Sequence, residues 1–276
     1  MHTEISFEVF SPKSVKAAFD LSNAAQTMAM YGPAFASVTC GTGNGSPDLT
    51  DQTLVALNAK INLPLAAHIA CSTFDLAQLA DRADVHIAKG VKQAVAVRGD
   101  NGGAQTTVTE LTRMLTDKGI DVMVGAYPET HPMAPSPAAC LDALKAKQDA
   151  GATAAITQFF FEADTYFRFR DAAVKAGIAL DLIPGILPVT NWSATQRMAQ
   201  QCGTAIAPDV AEAFARAQRE DRTNLMATVH TSDLCDALRS GGVDCLHFYT
   251  MNRMDVIGNV LRALGHTTTT PVHLAA

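Results

Sequence analysis

Short, β-rich apolar runs alternate with helix-patterned segments along the whole of this chain, and that alternation limits the available folds more than any other feature. The apolar runs are Ile5–Phe10, Phe35–Cys40, Leu65–Cys71, Ala94–Arg98, Val122–Tyr127, Ala154–Phe161, Asp181–Leu187 and Cys245–Thr250. Helical spacing fills Ser14–Met30, Asp48–Ile61, Asp75–Lys89, Thr106–Lys118, Pro137–Ala150 and Asp164–Ala176. Gly90, Gly119, Gly151 and Gly177 follow four of these segments, where a helix commonly ends in a left-handed turn. Eight strand–helix units with short links predict a parallel sheet closed into a (β/α)8 TIM barrel; an open doubly wound sheet is the alternative. The stretch Ser193–Gly242 is too long for one helix. Its Pro208 and two helical patterns, Asp209–Arg219 and Arg222–Ser240, predict extra helices before the last strand.

A closed barrel cannot be cut in the middle without opening its sheet, so the 276 residues are expected to form a single domain, 1–276, with a poorly ordered tail at 266–276. The 21 basic and 27 acidic residues give a net charge of −6, without a Lys/Arg stripe, so nucleic acid is not an expected partner. Neither a leader-like N-terminus nor a long uninterrupted apolar run is present, which predicts a cytoplasmic protein with no membrane partner. Six dispersed cysteines without C-x-x-C spacing read as reduced thiols, and eight dispersed histidines predict no metal site.

In such a barrel the chemistry sits at the C-terminal ends of the strands. Those ends carry Glu8, Thr39, His68, Arg98-Gly99-Asp100, Tyr127 with Glu129 and His131, Gln158, and Asn252-Arg253. Glu8 lies inside Ile-Ser-Phe-Glu-Val-Phe, so it points into the barrel mouth, where desolvation favours its protonated form and suits it to general acid work. An ion pair, with Lys13 as one candidate, is the other reading. Asp100 is either a ligand contact or a turn residue capping its own backbone. The loop Gly41–Ser46 is glycine-rich but lacks the lysine and spacing of a phosphate cradle. His68 is either a hydrogen-bonded core histidine or a ligand contact. Phe159-Phe160-Phe161 reads as packing, preceded by a polar Gln158.

Taken in order, Ile5–Lys13, Ser37–Gly41, Ala67–Cys71, Ala96–Asp100, Gly125–Pro132, Ile156–Phe161, Ile183–Pro188 and His247–Arg253 resemble the signature blocks of the methylenetetrahydrofolate reductases, from Ile5 to about Gly265. The resemblance implies a (β/α)8 barrel with FAD at the strand ends. It also implies reduction of 5,10-methylenetetrahydrofolate to 5-methyltetrahydrofolate by NADH or NADPH, and a homo-oligomer. Glu8 matches the family's general acid. Asp100 matches an aspartate that contacts the pterin near the flavin. Gln158 matches a glutamine on folate or nicotinamide, and Arg253 an arginine near the folate. Thr39, His68, Arg98, Gly99, Tyr127, His131 and Lys147 match flavin-contacting positions.

Departures from the family pattern fall at Cys140 and Ala143 on the flavin side, at Thr107 in place of a flavin-contacting tyrosine, and at Ala194 and Met198 on the folate side. Three readings follow: an FAD-dependent reductase; a flavin-free relative passing hydride directly from NAD(P)H; and a non-catalytic folate-binding subunit, which would have no use for a buried proton donor.

Overall fold

A computed structural model describes residues 3–40, 47–61, 63–72, 74–99 and 106–268. Their order begins β1 (Glu4–Val9), α1 (Val15–Met30), β2 (Phe35–Val38), α2 (Pro47–Lys60), β3 (Leu65–Ala70), α3 (Leu76–Ala88), β4 (Gln93–Val97), α4 (Val108–Asp117), β5 (Asp121–Ala126) and α5 (Pro137–Asp149). It continues with β6 (Ala154–Thr157), α6 (Ala163–Lys175), β7 (Asp181–Ile183), β8 (Gly185–Ile186), α7 (Trp192–Cys202), α8 (Pro208–Arg219), α9 (Thr223–Ser240), β9 (Cys245–Tyr249) and α10 (Asp255–Ala263). Every strand pair is parallel, and the sheet runs β7-β6-β5-β4-β3-β2-β1-β9-β8. Among the described residues no helix is long and apolar enough to cross a membrane. Most of the expected tail, from residue 269 onward, lies outside the described residues.

The seventh predicted strand, Asp181–Leu187, is split at Pro184, which has no N–H to give a ladder. The split serves closure: β7 pairs with β6 and β8 with β9, so one short segment links the two ends of the sheet. The Pro184 carbonyl accepts the His247 amide at 3.0 Å, and the Thr157 hydroxyl accepts the Gly185 amide at 2.9 Å. A side chain at Gly185 would collide with the Thr157 carbonyl at 2.1 Å and the Tyr249 ring at 2.6 Å, so only glycine lets the barrel close here. The long insertion forms α7, α8 and α9, as expected. Ser14 and Ser136 cap α1 and α5, and Asp75 and Thr107 form capping boxes on α3 and α4.

The period of two along each strand separates two cores. Outward residues such as Phe7, Leu246 and Phe248 join helix residues such as Met28, Leu79 and Leu111 in the larger layer between sheet and helices. Inward residues Phe35, Ala66, Val95, Met123, Ala154, Ile156 and Ile183 fill the lower barrel. At about 1.5–3 kcal/mol per large buried side chain, these layers supply the stability that polar groups at the upper end do not. Above the inner plug, the next inward positions turn polar.

Candidate functional site

Glu8 stands at that transition, in register with Ser37 of β2 and Tyr249 of β9. Its side chain is 12% exposed. Among the described residues, the basic groups set against its carboxylate are two imidazoles: His68 Nε2 lies 3.4 Å and His247 Nε2 3.9 Å from Oε2. His247 is fully buried, stacks on Phe35, and shares a 2.8 Å hydrogen bond between Nδ1 and the Ser6 hydroxyl. Neither Nε2 has a hydrogen-bond partner among the described residues. Burial pushes the His68 imidazole below its ordinary pKa, the nearby His247 charge acts in the same sense, and Glu8 opposes both. Tyr249, half-buried beside Glu8, donates to the Thr157 carbonyl at 2.7 Å, and desolvation together with the Glu8 charge holds its phenol well above the usual range.

The backbone that carries Glu8 is tied down from the neighbouring strand exit. Its carbonyl accepts the Thr250 amide at 3.1 Å and the Thr250 hydroxyl at 2.7 Å. Asn252 accepts from the Phe10 amide at 2.8 Å and donates to the Phe10 carbonyl at 2.9 Å. Met251 and Asn252 reach this clamp in the left-handed region, at φ 50° and 57°, which Asn accommodates and Met does at a cost.

Across the mouth the character changes. Lys147 reaches up from α5 to the Gly125 carbonyl at 2.8 Å, and burial lowers its ammonium pKa to about 8. His131 lies edge-on to Tyr127 at 4.5 Å, and its Nδ1 accepts from the Met133 amide at 3.0 Å. Burial, reinforced by the charges of Arg98 and Lys147, lowers the His131 pKa. Arg98 contacts the Met133 sulfur at 2.7 Å. Among the described residues, no carboxylate lies within ion-pair distance of Arg98, His131 or Lys147; the ion pairs of the barrel are made by other side chains. Arg98 and Lys147 are cations left without anions, which favours an anionic ligand. Gly99, at φ 85°, packs its backbone on Ser72, where a side chain would meet the hydroxyl at 2.1 Å. Thr39 is buried and accepts from the Thr50 hydroxyl through its carbonyl at 2.9 Å.

The remaining predicted positions are not gathered into either group. Gln158 turns its amide toward its own surroundings, donating to Cys202 Sγ at 3.3 Å and accepting from the Phe159 amide at 3.0 Å. Arg253 is half-exposed on the rim and pairs with Asp255 at 2.9 Å. Glu129 accepts from the Ala205 amide at 3.0 Å, and burial raises its pKa. Thr107 spends its hydroxyl on the N-terminus of α4, exchanging hydrogen bonds with Glu110 at 2.8 and 3.2 Å. Met198 packs against the outer core. Asp100 and the loop Gly41–Ser46 lie outside the described residues. Among the described residues, no three His, Cys, Asp or Glu side chains are grouped to hold a metal ion.

His247 is the participant that sequence reasoning missed. In Cys-Leu-His-Phe-Tyr it reads as one histidine on an apolar strand, and only the Ser6–His247 register places it against Glu8.

A family model described as methylenetetrahydrofolate reductase matches residues 1–265. The 5,10-methylenetetrahydrofolate reductase of Escherichia coli K12 is 34% identical over 267 residues, covering 95% of this chain and 90% of that protein. The protein of the same name from Buchnera aphidicola subsp. Schizaphis graminum is 31% identical over 268 residues, covering 95% and 92%. Among solved structures, a Clostridium thermocellum protein described as binding two copies of 5-methyl-5,6,7,8-tetrahydrofolic acid superposes with a TM-score of 0.66 at 10% identity, over 95% of this chain and 94% of that one. At that identity the likeness is one of fold.

Proposed function

The chain belongs to the methylenetetrahydrofolate reductase family of enzymes, and from that premise we propose that it reduces 5,10-methylenetetrahydrofolate to 5-methyltetrahydrofolate with NADH or NADPH through FAD, using Glu8 as general acid. The observation that carries this reading is the placement of Glu8: a largely buried carboxyl at the barrel mouth, faced by two imidazoles. A carboxyl in that setting can hold a proton and release it to a substrate nitrogen.

On this reading Glu8 delivers its proton to N10 of the bound folate, and the five-membered ring opens to a cationic iminium at N5. Asp100 supplies negative charge that favours that cation. Gln158 would pair with the pterin after releasing the Phe159 amide, and Arg253 would meet the carboxylate end of the substrate from the rim.

The residues across the mouth fit a dinucleotide cofactor. Arg98 and Lys147 offer positive charge with no anion of their own among the described residues, the His131 imidazole stands beside them, and Gly99 lets the backbone come close. Thr39, His68 and Tyr127 complete the proposed FAD contacts. When bound, FAD would supply two-electron exchange with both the nicotinamide and the folate. Lys147 keeps its place although Cys140 and Ala143 differ from the family pattern, and Thr107 is absorbed into a helix cap.

The test is the absorbance spectrum of the purified protein, followed without oxygen by NADH or NADPH and then methylenetetrahydrofolate. Bands near ~450 nm that bleach with nicotinamide and return with folate are expected. A colourless protein that oxidises NAD(P)H only with folate present, and ignores added FAD, would replace the flavin route with direct hydride transfer. Folate binding without turnover would reduce the chain to a binding subunit.

A further inference from the structure

The loop after β5 reads Tyr-Pro-Glu-Thr-His-Pro-Met-Ala-Pro-Ser-Pro from Tyr127 to Pro137, and its four prolines restrict the backbone to a few φ values. His131–Ala134 forms a β-turn, closed by the Ala134 amide on the His131 carbonyl at 2.8 Å, with Pro132 in the second position, where proline is favoured. Met133 stands third in that turn. Its side chain is 72% exposed, so packing does not fix it. What it touches is the mouth of the barrel. The Arg98 guanidinium donates from Nη1 to Met133 Sδ at 2.7 Å, and the Met133 amide donates to His131 Nδ1 at 3.0 Å.

These two contacts prepare two side chains for a ligand. With Nδ1 accepting, a neutral His131 ring carries its proton on Nε2 and offers a donor there. Arg98 is anchored through its backbone, whose carbonyl accepts the Ser72 amide at 2.9 Å, and its side chain meets a weak, neutral acceptor where a carboxylate could have stood. A thioether aims a guanidinium without neutralising it. It also yields readily to a phosphate, which takes charge-assisted and often paired hydrogen bonds from arginine. The carboxylates of the flanking segments are spent elsewhere: Glu129 accepts the Ala205 amide at 3.0 Å, and Glu110 accepts the Thr107 amide at 2.8 Å.

We propose that Met133 is the positioning residue of the anion subsite on this side of the mouth: its sulfur holds Arg98 in place and leaves the guanidinium charge free for the diphosphate of a dinucleotide. This inference rests on the reading of the β4–β5 side as the cofactor side. Neutrality is the property that matters, because an acidic side chain at the same point of the turn would claim Arg98 before the ligand did. Flexibility matters too: an unbranched methionine can withdraw its sulfur while the turn stays where its prolines and His131 hold it.

The experiment titrates FAD into the apoprotein of the wild type, Met133→Glu and Met133→Gln, at low and high salt, and repeats Met133→Glu in an Arg98→Gln background. Met133→Glu is expected to raise the FAD Kd about tenfold and to flatten its rise with salt, since Arg98 is then already paired. Met133→Gln, of similar length but uncharged, should stay within about threefold of wild type. In the Arg98→Gln background, Met133→Glu should cost no more than about threefold, because the partner it captures is gone. Wild-type affinity in Met133→Glu would overturn the proposal. Equal losses in the Glu and Gln variants would show that the sulfur only packs the loop, and an undiminished loss without Arg98 would show direct repulsion of FAD; either result also overturns it. If the wild-type chain binds no FAD at all, the cofactor reading fails first and the role of Met133 falls with it.

Discussion

The two sides of the barrel mouth are built from opposite materials. On the β1–β9 side a lone carboxyl is held among imidazoles, a phenol and hydroxyls, with its backbone clamped by Thr250 and its strand exit by Asn252. On the β4–β5 side three basic residues gather, and no carboxylate pairs with them among the described residues. One side is suited to holding and releasing a proton; the other is suited to holding a stationary anion. The difference teaches that a single strand-end ring can divide its labour by polarity, because each strand sends only one or two side chains to the mouth.

The largest expected effect comes from removing the proton while keeping the shape. Glu8→Gln should reduce folate turnover by at least about 10²-fold, leave folate affinity within a few-fold of wild type, and spare NAD(P)H oxidation by a quinone acceptor; a steady-state comparison with both acceptors checks this. Next comes the opposite side. Lys147→Met should weaken FAD binding by about tenfold or more, read by equilibrium titration of the apoprotein, while folate binding persists.

The same residue predicts a pH dependence. The folded Lys147 pKa of about 8 is below the unfolded value, so between about 8 and 10.5 the unfolded chain binds more protons than the folded one. Its contribution to stability is unfavourable below that window and is relieved as pH rises through it. The wild-type apoprotein should gain stability from this group between pH 8 and 10.5, and Lys147→Met should lose that slope in denaturant titrations. Binding an anion beside the ammonium should reverse the shift and take up protons near pH 8.

Much of the fold was legible because the signals were local. Apolar runs, capping residues such as Ser14 and Thr107, and glycines 90, 119, 151 and 177, all at positive φ, are each read within a few residues. The break at Pro184 was visible as a proline; its purpose was not, since it depends on which neighbours meet when the sheet closes. Glu8 was legible because burying a carboxylate within an apolar strand is costly, and a strand end at the barrel mouth is where a reaction can use it. His247 was not, because its partner Ser6 lies 241 residues away and only register brings the two together. Gln158 and Arg253 were read as ligand contacts, and the structure sets each against protein partners that a ligand would have to displace.

Smaller effects sharpen the contrast between the two sides. Asp100→Asn should slow folate reduction about tenfold and raise the flavin potential; unchanged values for both would remove its electrostatic role. Asn252→Ala removes two hydrogen bonds that join the β1 and β9 exits, so it should lower stability by about 1–3 kcal/mol in denaturant unfolding and leave cofactor affinity unchanged.

The most direct test of the division between the two sides is a stopped-flow measurement of both half-reactions in Glu8→Gln. Bleaching by NAD(P)H should proceed at the wild-type rate, while reoxidation by methylenetetrahydrofolate should be slowed by at least about 10²-fold. Equal slowing of both halves, or full-speed reoxidation, would contradict the assignment of the proton to Glu8 and of the cofactor to the opposite side.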